Sequence, residues 1–256
     1  MNNISIVLPV TDRGAGEVYL TERVVASLVA QTEKPNQFIV VEYNTALPWP
    51  LSKAHDIFCG ADVDLSLDSG SEWMYRPNVK SYAQAVQYGL AMLNGSSDSA
   101  VVIPNQEYIY DPNFIKVMSS EWRKRYNDIG ILYCYEREMD SEGGEVDWTP
   151  RTPYDRMAAL NGCALHLPAM ALNIRRAVES NLGALLHEGV PAWDTALILG
   201  NFGVSCVPET LATHYWPAFF PTEASIQAQA RHEIVARAKH NYYGPDLQGV
   251  AQNGNA

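Results

Sequence analysis

The chain reads as an α/β protein built on a mostly parallel, twisted sheet flanked by helices, and three stretches predict it. Residues 4–9 (Ile-Ser-Ile-Val-Leu-Pro) and 101–103 (Val-Val-Ile, stopped by Pro104) are apolar runs without polar alternation, as strands buried on both faces require. Between them a helical repeat leads into a second apolar run, a βαβ unit that implies parallel strands and a right-handed crossover. At 256 residues the chain is long enough for a sizeable core. We expect one domain over 1–216, followed by a C-terminal helix and a flexible tail over 217–256.

The first strand, Ile4–Pro9, gives way to a turn over Val10–Gly16. A helix over Val18–Gln31 follows, with Leu20, Val24, Val25, Leu28 and Val29 at helical spacing and Pro35 and Asn36 marking its end. Phe38–Val41 is the second strand. Leu47–Pro77 is broken by Pro48, Pro50 and Gly60; Ala61–Leu67 alternates like a short strand and Asp68–Gly70 reads as a turn. Asn78–Leu93 is helical, with Val79, Tyr82, Ala83, Val86 and Leu90 on one face and Asn94-Gly95 as the stop. After the strand at Val101–Ile103 a helix spans Asn113–Tyr126, its Arg123-Lys124-Arg125 run reading as a solvated face near the negative end of the helix dipole. Ile129–Tyr135 is a strand. Glu136–Asp155 is rich in charge, Gly and Pro, and predicts a mobile excursion over one edge of the sheet. Gly162–Ile174 is β-like and leads into a helix near Arg175. His187–Asp194 reads as a loop, Trp193–Gly203 as a helix, and Val204–Val207 and Leu211–Trp216 as two extended pieces. Thr222 to about His240 predicts a last helix.

Acidic residues outnumber basic ones 29 to 18, for a net charge of −11. That field disfavours nucleic acid and anionic lipid without excluding a local basic groove, and it makes a phosphorylated ligand costly to hold unless a metal or helix amino termini compensate. No apolar run approaches a membrane span and no signal peptide opens the chain, which points to the cytoplasm. Cys59, Cys134, Cys163 and Cys206 are scattered without metal-ligand spacing and read as reduced core thiols.

Asn105, Gln106 and Glu107 follow the strand at Val101–Ile103, where open α/β sheets bind ligands. An amide and a carboxylate two residues apart can offer oxygens to a hard divalent cation and the diphosphate it carries. The same residues fit a polar turn leading into the helix near Pro112.

Several ordered signals together resemble one family. Pro9-Val10-Thr11-Asp12-Arg13 stands where the inverting family-two glycosyltransferases of the GT-A fold carry Pro-Thr-Tyr-Asn-Arg. Ser27-Leu28-Val29-Ala30-Gln31-Thr32 closely reproduces their Ser-Leu-hydrophobic-Ala-Gln-Thr helix end. Val41-Glu42-Tyr43-Asn44-Thr45 is a weaker version of their second-strand end, and the likeness extends from about Ile4 to His214. The family's metal-binding Asp-X-Asp, counted back from the helix-opening proline, falls here on Asn105 and Glu107. The resemblance implies that Glu107 binds a divalent metal, Mn²⁺ or Mg²⁺, and the donor diphosphate, with Asn105 assisting or touching the ribose. Both depart from the usual aspartates, as Val86-Gln87-Tyr88-Gly89 departs from the family's Arg-Asn-X-Gly.

Further roles follow from the same resemblance. Asp194, beginning a late helix, takes the place of the base that deprotonates the acceptor hydroxyl; it equally suits an ordinary first-turn aspartate favoured by the helix dipole. Trp193 is placed to stack on an acceptor sugar or to pack in the core. His214 would complete the metal shell or touch the diphosphate, Arg175 and Arg176 would contact donor phosphates or line a solvated turn, and Asn161-Gly162 would approach the donor sugar. Residues 9–13 and Glu42 would hold base and ribose.

The activity implied is inverting transfer of a sugar from a nucleotide-diphosphate sugar, a UDP-sugar foremost, to a hydroxyl acceptor. That acceptor is a saccharide or, as in some viral enzymes of this fold, a modified DNA base. Two rivals stand beside it. One is a nucleotide-sugar-binding module that has lost catalysis, suggested by Asn105, Tyr43 and Val86. The other is a nucleotidyltransferase, for which Asp12-Arg13-Gly14-Ala15-Gly16 is a faint version of the glycine-rich loop.

Overall fold

The computed structural model describes residues 3–11, 15–44, 52–60, 71–94, 99–140, 144–145, 170–180, 182 and 191–215. The strands are β1 (Ile4–Val10), β2 (Phe38–Tyr43), β3 (Glu72–Arg76), β4 (Ala100–Val102), β5 (Tyr108–Tyr110), β6 (Ile131–Met139), β7 (Ala171–Asn173) and β8 (Val204–Tyr215). The helices are α1 (Ala15–Val29), α2 (Ser52–Gly60), α3 (Tyr82–Ala91), α4 (Phe114–Arg125), α5 (Ile174–Glu179) and α6 (Pro191–Leu199), with a 3₁₀ turn at Gly200–Phe202.

All eight strands form one sheet in the order β3-β2-β1-β4-β7-β6-β8-β5. β1 pairs in parallel with β2 and β4, β2 with β3, and β6 with β8. The short β7 is antiparallel between β4 and β6, and β5 runs antiparallel along the end of β8. Every residue of β1 and β2 is buried, as their unbroken apolar runs predict. One face of the sheet packs against α1, α2 and α4 around Phe38, Phe58, Phe114 and the fully buried Trp122. The other packs against α3, α5 and α6 through Val7, Ile39, Val86, Leu172, Ala177 and Leu199.

The run Ser27 to Thr32 has a structural task. Ser27 Oγ accepts from the Tyr110 amide at 3.2 Å, Gln31 Nε2 donates to the Asp111 carbonyl at 2.8 Å, and Gln31 Oε1 accepts from Ile115 N at 2.9 Å. Thr32 N donates to the Pro112 carbonyl at 2.8 Å. The end of α1 is thereby clamped to the β5–α4 connection, one short strand beyond the polar turn that follows β4. Gly89 serves packing too, because a Cβ there would collide with Val7 Cγ1.

Several boundaries differ from those predicted. Leu47–Pro77 holds α2 and β3: Ala54, Ile57 and Phe58 give α2 its inward face, and β3 is a half-buried edge strand without clean alternation. Glu136–Met139 is the continuation of β6 rather than an excursion, and the two extended pieces after Gly203 are one strand. Register shifts around Tyr135 absorb the Pro208-Glu209 interruption that makes β8 look broken. Tyr108–Tyr110 is a strand held by β8, and α6 begins at Pro191, inside the predicted loop. The basic run ends α4, with Arg123 at 3.8 Å from Glu33 and Lys124 at 2.5 Å from Glu121. Cys134 is buried and Cys206 packs half-buried against the core, but Cys59 is exposed on α2 and is not a core thiol. Cys163, the predicted strand over Ala61–Leu67 and everything from Trp216 onward lie outside the described residues. Among those that are described, no helix is long and apolar enough to cross a membrane.

Candidate functional site

β4 ends at Val102, and the chain turns at the edge of the sheet before β5. The Tyr108 amide donates to the Asn105 carbonyl at 3.2 Å, closing the turn. β5 lies along β8 with Tyr108 opposite His214, and the Tyr215 amide donates to the Glu107 carbonyl at 3.0 Å. The ladder thus sets Glu107 against the last turn-ward residues of β8. Glu107 Oε2 lies 3.3 Å from His214 Nε2, and Asn105 Nδ2 lies 3.4 Å from the same oxygen. Asn105 and Glu107 are thereby brought together with His214, 107 residues beyond Glu107, past the carboxyl end of β4.

Burial grades across this cluster. Asn105 is exposed, the Glu107 side chain is 35% exposed and that of His214 only 8%. Beneath them the Tyr108 ring stacks on His214, with centroids 4.8 Å apart and planes at 24°. Glu136 and Glu138 on β6 are both buried, Glu138 sharing a register position with His214. Burial pushes the Glu136 carboxyl up to about 7, opposed by the neighbouring His214 and by a hydrogen bond from the Tyr108 hydroxyl, while Glu138 adds to the rise. The Tyr108 phenol is itself held well above its ordinary range, first by burial and then by Glu136. An acidic layer therefore underlies the histidine that faces Glu107.

The end of β1 joins this site from the side. Pro9 and Val10 are buried in the sheet, Thr11 follows at 3% exposure, and Gln106 Nε2 donates to the Thr11 carbonyl at 3.3 Å. Glu42 is the register neighbour of Val10, and its Oε2 accepts from the Trp73 indole at 3.0 Å. Its carboxylate is tied to the core face between β2 and β3.

Arg175 and Arg176 are not part of the cluster. β7 is antiparallel to β4 with Asn173 opposite Ala100, so α5 begins at the amino end of β4, away from Asn105 and Glu107. There the Asn173 side chain caps α5, and both arginines engage Glu179, at 2.7 Å and 3.2 Å. Both share one carboxylate at that end of β4 and do not lie beside Asn105 and Glu107, where a donor phosphate is expected. Trp193 and Asp194 occupy the first turn of α6, but their side chains lie outside the described residues, as do Asp12, Arg13, Asn161 and Gly162.

Tyr108, Glu136 and Glu138 were missed in the sequence. The available signal was the period-two alternation Glu136-Arg137-Glu138, whose outer members are buried and whose middle is exposed; the density of charge masked it.

Among the described residues, no three His, Cys, Asp or Glu side chains converge as a metal site. The set present is one carboxylate, one imidazole and one carboxamide, whose nitrogen faces Glu107 Oε2 and whose oxygen accepts from the Glu107 amide at 3.5 Å. This fits a Mg²⁺ or Mn²⁺ ion held by few protein groups together with phosphate oxygens and water, and does not fit an all-protein cage.

No family model matches the chain, and no curated protein sequence does. Solved structures do. S. aureus TarS 1–349 aligns with a TM-score of 0.60 at 11% identity, over 91% of this chain and 65% of that one. Glucosyl-3-phosphoglycerate synthase from Mycobacterium tuberculosis, in complex with phosphoglyceric acid, aligns at 0.55 and 17% identity, over 95% of this chain and 82% of that one. The same enzyme with Mn²⁺, UDP and phosphoglyceric acid gives 0.56 at 16% identity, over 93% and 78%. The chain therefore has the GT-A fold, shared with these structural neighbours. It spans about two thirds of the TarS structure's length.

Proposed function

We propose that the protein is a metal-assisted glycosyltransferase that moves a sugar from a UDP-sugar to a hydroxyl acceptor with inversion. The observation that carries this reading is the meeting of Asn105, Glu107 and His214 at the carboxyl end of β4 in a GT-A fold. Structural neighbours captured with UDP and Mn²⁺ support the choice of donor and ion.

In this reading Glu107 and His214 hold the ion and Asn105 lends an amide oxygen to it or to the ribose. Bound there, a divalent cation supplies positive charge to the leaving diphosphate. The residues at the end of β1, Pro9 to Arg13, receive the nucleotide, and Asn161-Gly162 border the donor sugar. Glu42 supports the β2 end from within, through Trp73, instead of touching ribose directly. Asp194 accepts the proton of the acceptor hydroxyl as that oxygen attacks the anomeric carbon, and Trp193 offers a face to the acceptor. Because diphosphate leaves as an anion stabilised in place, no general acid is needed. The position of α6 supports the role of Asp194: the helix ends with the Leu199 carbonyl against Gly130, at the amino end of β6, so its first turn is the end farther from that edge.

The test is UDP release from UDP-glucose and other UDP-sugars with Mn²⁺, in wild type and Asp194→Asn. Metal-dependent release that falls about a thousandfold in the variant, with UDP binding retained, is the expected result. A second reading, a nucleotide-sugar-binding module without turnover, is favoured by the amide at Asn105. Equal traces for the two proteins, with UDP still bound, would select it.

A further inference from the structure

We propose that Gln106 is a positioning residue: its carboxamide fastens the turn bearing Asn105 and Glu107 to the end of β1 and to α1, so that the metal-facing and nucleotide-facing parts of the site are set as one unit. The inference deepens the proposed function and rests on it.

The β1–β4 ladder ends at the pair Ile6–Val102. Beyond it β1 continues to Val10, while the chain after β4 turns toward β5. Among the described residues, no backbone hydrogen bond joins 103–107 to 7–11. The link is made by a side chain. Gln106 Nε2 donates one hydrogen to the Thr11 carbonyl at 3.3 Å and the other to Thr21 Oγ1 on α1. Thr11 and Thr21 are buried, and Gln106 itself is half-buried. A residue flanked on both sides by candidate ligands thus points the opposite way from them, into the protein, and ties three elements together.

The chemistry of the position selects an amide. The Thr11 carbonyl can only accept, so the group facing it must carry a hydrogen and no negative charge, and the second hydrogen of an amide meets Thr21 Oγ1. A glutamate would set a carboxylate against the Thr11 carbonyl, and a leucine would donate to neither oxygen. Either change frees the turn to move relative to the β1 end. Metal held by the turn and nucleotide held by β1 would then no longer favour each other's binding.

Two readouts test this on the full chain. The first is the factor by which saturating Mn²⁺ tightens UDP binding, measured calorimetrically for wild type, Gln106→Leu and Gln106→Glu. The second is amide hydrogen exchange across 105–108. We expect the metal-induced tightening to fall about tenfold in both variants, and exchange at 105–108 to rise by a similar factor, while the melting temperature moves little. Gln106→Glu keeps the shape of the side chain and serves if Gln106→Leu fails to fold. An unchanged Mn²⁺ effect in the variants beside a clear one in wild type would overturn the role of Gln106 and leave the proposed function standing. Wild type that binds no UDP would overturn the proposed function, and the inference with it. Unchanged exchange at 105–108 would overturn the tie on structural grounds alone.

Discussion

The two halves of the sheet use the same hydrogen-bonded geometry for opposite purposes. In β1, β2 and β4 every position is buried and nearly every side chain is apolar, so these strands are held by burial on both faces. In β5, β6 and β8 the buried positions include Tyr108, Glu136, Glu138 and His214. A buried carboxyl costs free energy unless neighbours compensate, so this half gives up stability to hold polar groups in place. The difference teaches where chemistry resides. The apolar half is a frame that ends in a ligand-facing edge, and the polar half brings a histidine and its acidic surroundings to that edge.

Four substitutions would break or sharpen the contrast. The largest effect belongs to the frame. Trp122 is fully buried against the face that α4 covers, and Trp122→Ala should cost about 3–5 kcal/mol, read as a lowered urea midpoint, with activity lost only as folding is lost.

Glu136→Gln should act in the opposite sense and depend on pH. The folded-state value of about 7 lies above the ordinary 4.5, so the folded form holds the proton more tightly. That preference supports folding fully below the ordinary value and is lost as pH rises toward the folded value. Wild type should therefore weaken relative to Glu136→Gln by up to about 3 kcal/mol between about pH 4 and about pH 8, measured by chemical denaturation at each pH. A difference that does not vary with pH would show that Glu136 is not held protonated.

Next comes Glu107→Gln, which keeps the shape of a half-exposed residue and removes its charge. It should lower Mn²⁺-dependent UDP release about 100-fold with the melting temperature nearly unchanged, separating site from frame. The smallest effect is a gain. Asn105→Asp adds a second carboxylate beside Glu107 and should tighten Mn²⁺ binding about tenfold, seen as a lower half-saturating metal concentration. An unaltered metal requirement would place Asn105 outside the ion's shell.

Legibility in the sequence followed the same division. The apolar runs at 4–9, 38–41 and 101–103 announced β1, β2 and β4, because a strand buried on both faces has little choice of composition. Asn105, Glu107 and His214 were named from their places relative to Pro112 and the last strand, and the fold gathers them. Arg175 and Arg176 were named in the same way and the fold does not, because β7 reverses direction and delivers them to the other end of β4. Reading charge as loop hid Glu136 and Glu138, whose alternation is a strand's. Prolines at 48 and 50 obscured α2.

By itself the sequence determined that this is an α/β chain with a βαβ start, a parallel core and a polar turn after Val102, since apolar periodicity and strand-ending polar residues are local properties. Tertiary structure alone decided what that turn faces. Pairing between β5 and β8 joins positions 107 and 214, and the bond from Gln106 to Thr11 joins positions 106 and 11. Such contacts join residues 107 and 95 positions apart and arise only when strand order and direction are settled, so no local pattern encodes them.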